Sequence, residues 1–157
     1  MEQKLIKDNI VQDAYYLITL FDNSENKPTQ LHVQKLMYLF EAYYMNVEKV
    51  EELYECNYQA WNFGPVAIPL YKEFKIYGKD NIVITDEKRE WANNIPDNRK
   101  KRLNELYEAF KGFSAIELVN FTHANGSPWY EAWNTKRYSE ISKKSIKDWF
   151  CQYVRTE

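Results

Sequence analysis

Apolar side chains return every three or four positions in one stretch of this chain after another, and that period leaves the α-helix as its main building material. Leu5, Ile6, Ile10, Ala14, Leu17, Ile18 and Phe21 set the first stripe, which fails at a loop carrying Asn23, Ser24 and Pro28. Thr29 predicts the cap of a second helix, striped by Leu36, Leu39, Phe40, Tyr43 and Val47, with His32 and Lys35 near its start. The two helices are expected to pack together.

The pattern changes at Tyr54, Tyr58, Ala60 and Trp61, which suit a short strand. Gly64-Pro65 is expected to end it and open a helix with Val66, Leu70, Phe74 and Tyr77 on one face, stopped by Gly78. Asn81 to Asp86 is a second β-branched run, and because a lone strand is unstable, residues 82–85 are expected to pair antiparallel with residues 56–61. Asp97 is read as the cap of a helix through Leu103, Leu106, Tyr107 and Phe110, closed by Gly112. Ser114 and Glu117 form an S-x-x-E capping box ahead of Ile116, Leu118, Val119 and Phe121. A last helix is expected from about Ser142, with Ile146, Trp149, Phe150 and Tyr153.

These elements predict a mainly α fold: a single compact helical domain over residues 1–157 with one small two-stranded antiparallel β-sheet. A chain of this length buries about 70% of its unfolded surface without staples. Apolar residues make up 45% and glycine occurs only 4 times, which excludes a disordered tail.

The formal charge of −2 provides no global basic field, so a nucleic-acid partner is not expected. Cys56 and Cys151 lie far apart, outside any metal-like spacing, which implies a reducing, cytoplasmic setting and no disulfide framework. No apolar run approaches the roughly 18 residues of a membrane span, and the acid-bearing N-terminal stretch lacks a signal-peptide cleavage site.

The stretch NFTHANGSPWYEAWN, residues 120–134, gathers His123 and two tryptophans. Locally it reads as a corner: Asn125-Gly126 close one helix, Ser127 caps the next, Pro128 suits its first position, and Trp129 and Trp133 share a face with Ala132 beside them. His123 falls at the end of the Ser114-capped helix, where the dipole favours a protonated imidazole, and Thr122 can bond back to a carbonyl. A structural His is the default, since acid–base work needs an orienting group within reach, and Glu117 and Glu131 lie six and eight residues away across the corner.

A zinc site would need His32, Cys56, His123 and Cys151 to converge from four separate elements, without the close pair that zinc motifs supply. No phosphate loop, nucleophile elbow or paired-acid motif occurs, so neither an enzyme nor a cofactor is expected. The basic run Asn98–Arg102 reads as a solvated face, or alternatively as a docking patch for an acidic partner. Glu48, Glu51, Glu52 and Glu55 likewise read as a solvent face able to meet a basic partner. Trp61 to Pro65 is either a strand-to-helix junction with Trp61 plugging the core or an aromatic anchor for a protein partner, and residue types alone leave both open.

HVQKLMYLFEAYYM, YQAWNFGPVAIPLYKEFKIYG, SAIELVNFTHANGSPWYEAW and ISKKSIKDWF, in that order over roughly residues 5–150, resemble the Panacea domain, the SocA-type antitoxin domain common in phage-associated proteins. The pair A-W-x-x-G-P-V and T-H-x(4)-P-W carries the resemblance. It matches Gln34 and Lys35 to the family's Q-K step, Ala60, Trp61, Gly64, Pro65 and Val66 to its central motif, and Thr122, His123, Pro128 and Trp129 to its last. Relatives often carry an acid shortly after the His, where this chain has Asn125.

The resemblance implies a cytoplasmic antitoxin that neutralises a co-encoded protein toxin by direct contact. For an adaptor-like member it implies a protease as a further partner. Two other functions compete: a phage-encoded inhibitor of a host defence nuclease, and a DNA-binding autoregulator. The residues matched to the motifs are the candidate partner surface.

Overall fold

A computed structural model describes residues 9–154. Leu5 and Ile6 of the first predicted stripe lie outside the described residues. Helices dominate: α1 (Ile10–Thr19), α2 (Gln30–Val47), α3 (Ile68–Phe74), α4 (Asp86–Ala92), α5 (Asp97–Phe110), α6 (Ala115–Thr122), α7 (Pro128–Thr135) and α8 (Lys143–Phe150). Three short strands, β1 (Tyr58–Trp61), β2 (Gly64–Ala67) and β3 (Glu140–Ile141), form one antiparallel sheet in the order β2-β1-β3. The fold is mainly α, as the apolar period requires.

Helix α2 is the axis of the molecule. Thr29 caps it by accepting from the His32 backbone N–H, and every residue from His32 to Ala42 is buried. A helix buried all round is apolar on every face or must satisfy its polar side chains internally. Helices α1, α3, α5, α6, α8 and strand β2 surround it, and His32, Gln34, Lys35 and Glu41 are its buried polar or charged residues. Glu41 accepts from the backbone N–H of Leu53 and Tyr54, from the Tyr58 hydroxyl and, at 2.8 Å, from Lys143. One carboxylate thereby ties the axis to the 53–54 loop, the sheet and α8.

The sheet departs from the expected strand pair. Strand β1 pairs with β2 through the register Tyr58↔Ala67 to Trp61↔Gly64, and with β3 through Tyr58↔Ile141 and Gln59↔Glu140. Gly64-Pro65 does not start a helix; it begins β2, and α3 opens three residues later with Pro69 in its first turn. Residues 82–85 do not join the sheet, because both edges of β1 are already taken. Asn81 makes only an isolated bridge to Thr29, the Ile82 N–H donates to the Pro28 carbonyl, and Thr85 caps α4.

Local capping chemistry is as the sequence predicts at Ser114, whose side chain and Glu117 form a reciprocal box, and at Ser127; Ser142, near which the last helix is expected to start, caps it as well. Asp97 is a correction: Pro96 holds the cap position of α5 and Asp97 is its first residue. The basic run beginning α5 is no uniform solvated face. Arg99 is buried, with its Nε 3.5 Å from Asp13, while Arg102 binds Glu48 and Glu105. The acidic stretch is likewise engaged within the chain, Glu51 with Lys147 and Glu52 with Lys143.

Candidate functional site

The β1–β2 hairpin is where the singled-out residues meet. Strand β2 is an edge strand, and an edge exposes unpaired backbone groups. Two side chains of α2 cover it. The Gln34 carboxamide donates to the Ala67 carbonyl at 3.0 Å and accepts from the Ala67 N–H at 2.9 Å, which imitates the neighbouring strand residue that is missing. The next residue, Lys35, donates from Nζ to the Pro65 carbonyl at 3.1 Å.

Lys35 is only 1% exposed. Room for its stem comes from Gly64, whose φ of +113° is one that L side chains rarely adopt and whose missing Cβ would lie 2.6 Å from Lys35 Cε. The same Cβ would lie 3.4 Å from Thr122 Oγ1, so α6 closes the other side. Desolvation brings the Lys35 ammonium down from its ordinary 10.5 to about 7.

Thr122, fully buried, donates back to the Leu118 carbonyl at 2.9 Å, as its place near a helix end allows. His123 caps that helix at its C-terminal end, its N–H donating to the Val119 carbonyl. The expectation of a favoured imidazolium fails: burial and the neighbouring Lys35 charge bring the His123 pKa below its ordinary value. The ring lies against Trp129, with centroids 4.6 Å apart. Trp129 in turn stacks on Trp133 at 14° and donates from its indole N–H to the Trp61 carbonyl at 2.7 Å. Buried Pro128 occupies the first position of α7.

Lys35, Gly64, Thr122, His123, Trp129 and Trp61 are thus linked neighbour to neighbour, from α2 through the hairpin to the α6–α7 corner. Trp61 is half-buried: its backbone anchors Trp129, its indole N–H donates to Gln59, and its ring meets Tyr71 and Tyr138 edge-on. Trp61 does not plug the core as one sequence reading has it: it ends a strand that turns into another strand, and its half-buried ring lies outside the core cluster.

That ring opens onto a cleft of about 540 Å³ between the start of α2, the hairpin and the turn at Gly78. Leu31, Phe63, Val66, Tyr71 and Tyr138 wall it with Trp61, and Gln34 and Lys35 are its most buried polar lining. Phe63 stood within a motif singled out in the sequence. Tyr71 lay within the same sequence stretch but was not singled out, and Leu31 and Tyr138 carried no signal, because the cleft joins elements far apart in the chain. Among the described residues, no group of three or more His, Cys, Asp or Glu side chains gathers as a metal site, and no helix is long and apolar enough to cross a membrane.

Comparison with known proteins follows the same residues. The family described as Antitoxin SocA-like, Panacea domain, matches residues 33–130, which is more than half of the chain and includes the whole linked set from Gln34 to Trp129. Antitoxin SocA of Caulobacter vibrioides (strain NA1000 / CB15N) is 28% identical over 109 residues, covering 64% of this chain. The matched region spans 57% of that relative's length. No solved structure matches.

Proposed function

The chain belongs to the Antitoxin SocA-like, Panacea domain family, and from that premise we propose that it is a cytoplasmic antitoxin that neutralises a co-encoded protein toxin by direct binding. The observation that carries this reading is the family match across residues 33–130, supported by the relative named as an antitoxin. Binding rather than catalysis is the mode. His123 lies against an indole and at a helix end, and the buried acids Asp13 and Glu41 are taken up by Tyr54, Arg99, Tyr58 and Lys143.

A DNA-binding autoregulator finds less support, because Arg99 and Arg102 of the one basic run are committed to acids within the fold. Nucleic-acid affinity of the electrostatic kind needs such charges free to meet phosphates.

The test is co-expression with the product of the neighbouring gene. We expect that product to arrest growth alone and to be tolerated beside this chain, with the two proteins co-purifying. A neighbouring product that is harmless alone, or toxic in the presence of this chain, overturns the reading. A stand-alone gene whose product blocks a host defence nuclease would support the phage-inhibitor alternative instead.

A further inference from the structure

Three of the exposed large apolar side chains, Phe63, Tyr71 and Tyr138, meet at one opening, whereas Ile76, Val83, Ile116 and Tyr153 lie outside it. Phe63 is 65% and Tyr138 55% exposed, and both line the cleft together with partly exposed Tyr71. Three large aromatics around a concavity form a patch suited to partner contact, since aromatic residues dominate binding hot spots and contiguous exposed apolar surface is uncommon on monomers. Phe63 sits at the tip of the hairpin, in the two-residue turn between paired Trp61 and Gly64. The strand that leaves this turn is fixed on α2 by Lys35 at Pro65 and by Gln34 at Ala67.

Charge narrows the partner. The chain as a whole has two more acids than bases, yet the charged residues lining this cleft are Lys35 and Lys79, with no acid among its lining. Lys79 is exposed beside Gly78, and Lys35 lies buried. Apolar walls with cationic charge alone fit an apolar side chain that has a carboxylate next to it.

We propose that this cleft is where the toxin docks, inserting an apolar side chain among Trp61, Phe63, Tyr71 and Tyr138 while an adjoining Asp or Glu of the toxin meets Lys79. This rests on the antitoxin reading above. Lys35 acts from below as a positioning residue, holding Pro65 and so the angle of the hairpin. The remaining motif residues at the α6–α7 corner support the hairpin from behind, through the Trp129 bond to Trp61.

The experiment measures affinity between the purified chain and the product of the neighbouring gene. Phe63→Asp, Lys79→Gln and Lys79→Glu are compared with Ile116→Asp, which changes an apolar residue of α6 that is 63% exposed and outside the cleft. All three positions are exposed, so the four variants are expected to melt like the wild type. Phe63→Asp should weaken binding by about 30-fold or more, the loss typical of a hot-spot residue. Lys79→Glu should lose several-fold more than Lys79→Gln, mainly through slower association. Ile116→Asp should bind normally. Wild-type binding with Phe63→Asp unaffected overturns the cleft as the docking site, and equal affinities for Lys79→Gln and Lys79→Glu overturn the adjoining carboxylate. A wild-type chain that binds nothing encoded beside it brings down the antitoxin reading, and the cleft with it.

Discussion

Gly64 and Lys35 share one space: the hydrogen that Gly64 has in place of a Cβ leaves room for the Lys35 stem, which a methyl group would approach to 2.6 Å. Gly64→Ala therefore meets two penalties, a backbone at φ +113° and a clash with a side chain anchored on Pro65. A loss of about 2–4 kcal/mol is expected in urea denaturation. In a Lys35→Ala background the clash disappears and only the backbone penalty remains, so the two changes should be non-additive by about 1 kcal/mol or more. Additive losses would show that the residues do not share this space.

Lys35 makes stability depend on pH in an unusual direction. Its pKa is about 7 folded, against 10.5 ordinarily, so between these values the unfolded chain binds more protons and stability rises with pH. From pH 7 to 9 the gain is up to about 2 kcal/mol, and below pH 7 the contribution is flat. Above about pH 9 the Cys56 thiol, pushed up from 9.0 to about 11 by burial, acts in the opposite sense. Lys35→Met should flatten the rise between pH 7 and 9 in chemical denaturation. A wild type whose stability falls over that interval would contradict a depressed amine.

Trp129 and His123 separate support from chemistry at the α6–α7 corner. Trp129→Ala removes a buried ring and strips the Trp61 carbonyl of its donor, and should destabilise by about 3–5 kcal/mol. His123→Gln keeps a polar side chain of similar reach at a half-buried position and should cost less than about 2 kcal/mol. Melting temperature and toxin rescue at matched soluble levels read both. A His123→Gln protein that melts like the wild type yet rescues nothing would give the imidazole a direct role.

Glu41 is buried with Lys143 as its near cation at 2.8 Å. Lys143→Met leaves that carboxylate without its close partner and should cost about 3–5 kcal/mol. Adding Glu41→Gln removes the stranded charge while keeping an oxygen for the Leu53 and Tyr54 N–H groups, so the double variant should be more stable than Lys143→Met alone. Guanidinium denaturation checks the order, and a double variant weaker than the single one would mean that the carboxylate is stabilised without the lysine.

The elements that the sequence revealed are those set by neighbours in the chain. Thr29, Ser114 with Glu117, Ser127 and Ser142 each cap a helix through a bond to a backbone N–H three residues on, which residue type and spacing encode directly. What remained hidden is set by competition across space. Ile82, Val83 and Ile84 have the composition of a strand but find no free edge on β1, their expected partner, because β2 pairs with one side and a two-residue strand at Glu140–Ile141 with no pattern of its own occupies the other. Arg99 is another case: its basic neighbours suggested solvent, and only the placement of Asp13 on α1 shows why it turns inward. At the candidate site, Gln34, Lys35, Trp61, Gly64, Pro65, Thr122, His123, Pro128 and Trp129 came from the family resemblance. Their connection through a missing Cβ and an edge strand is legible only in three dimensions.

The Glu41–Lys143 pair also imposes an order in time. A ribosome makes Glu41 about a hundred residues before Lys143, and the local β1–β2 hairpin before the strand that flanks it. Until residues 140–143 emerge, β1 has a bare edge and the carboxylate on the axis lacks its near cation. The β1–β2 pairing is local in sequence, whereas the β1–β3 pairing and the Glu41–Lys143 contact join residues far apart in the chain, the kind of contact that forms slowly. Emergence of residues 140–143 is thus the step that closes the free edge of β1 and gives the axial carboxylate its cation.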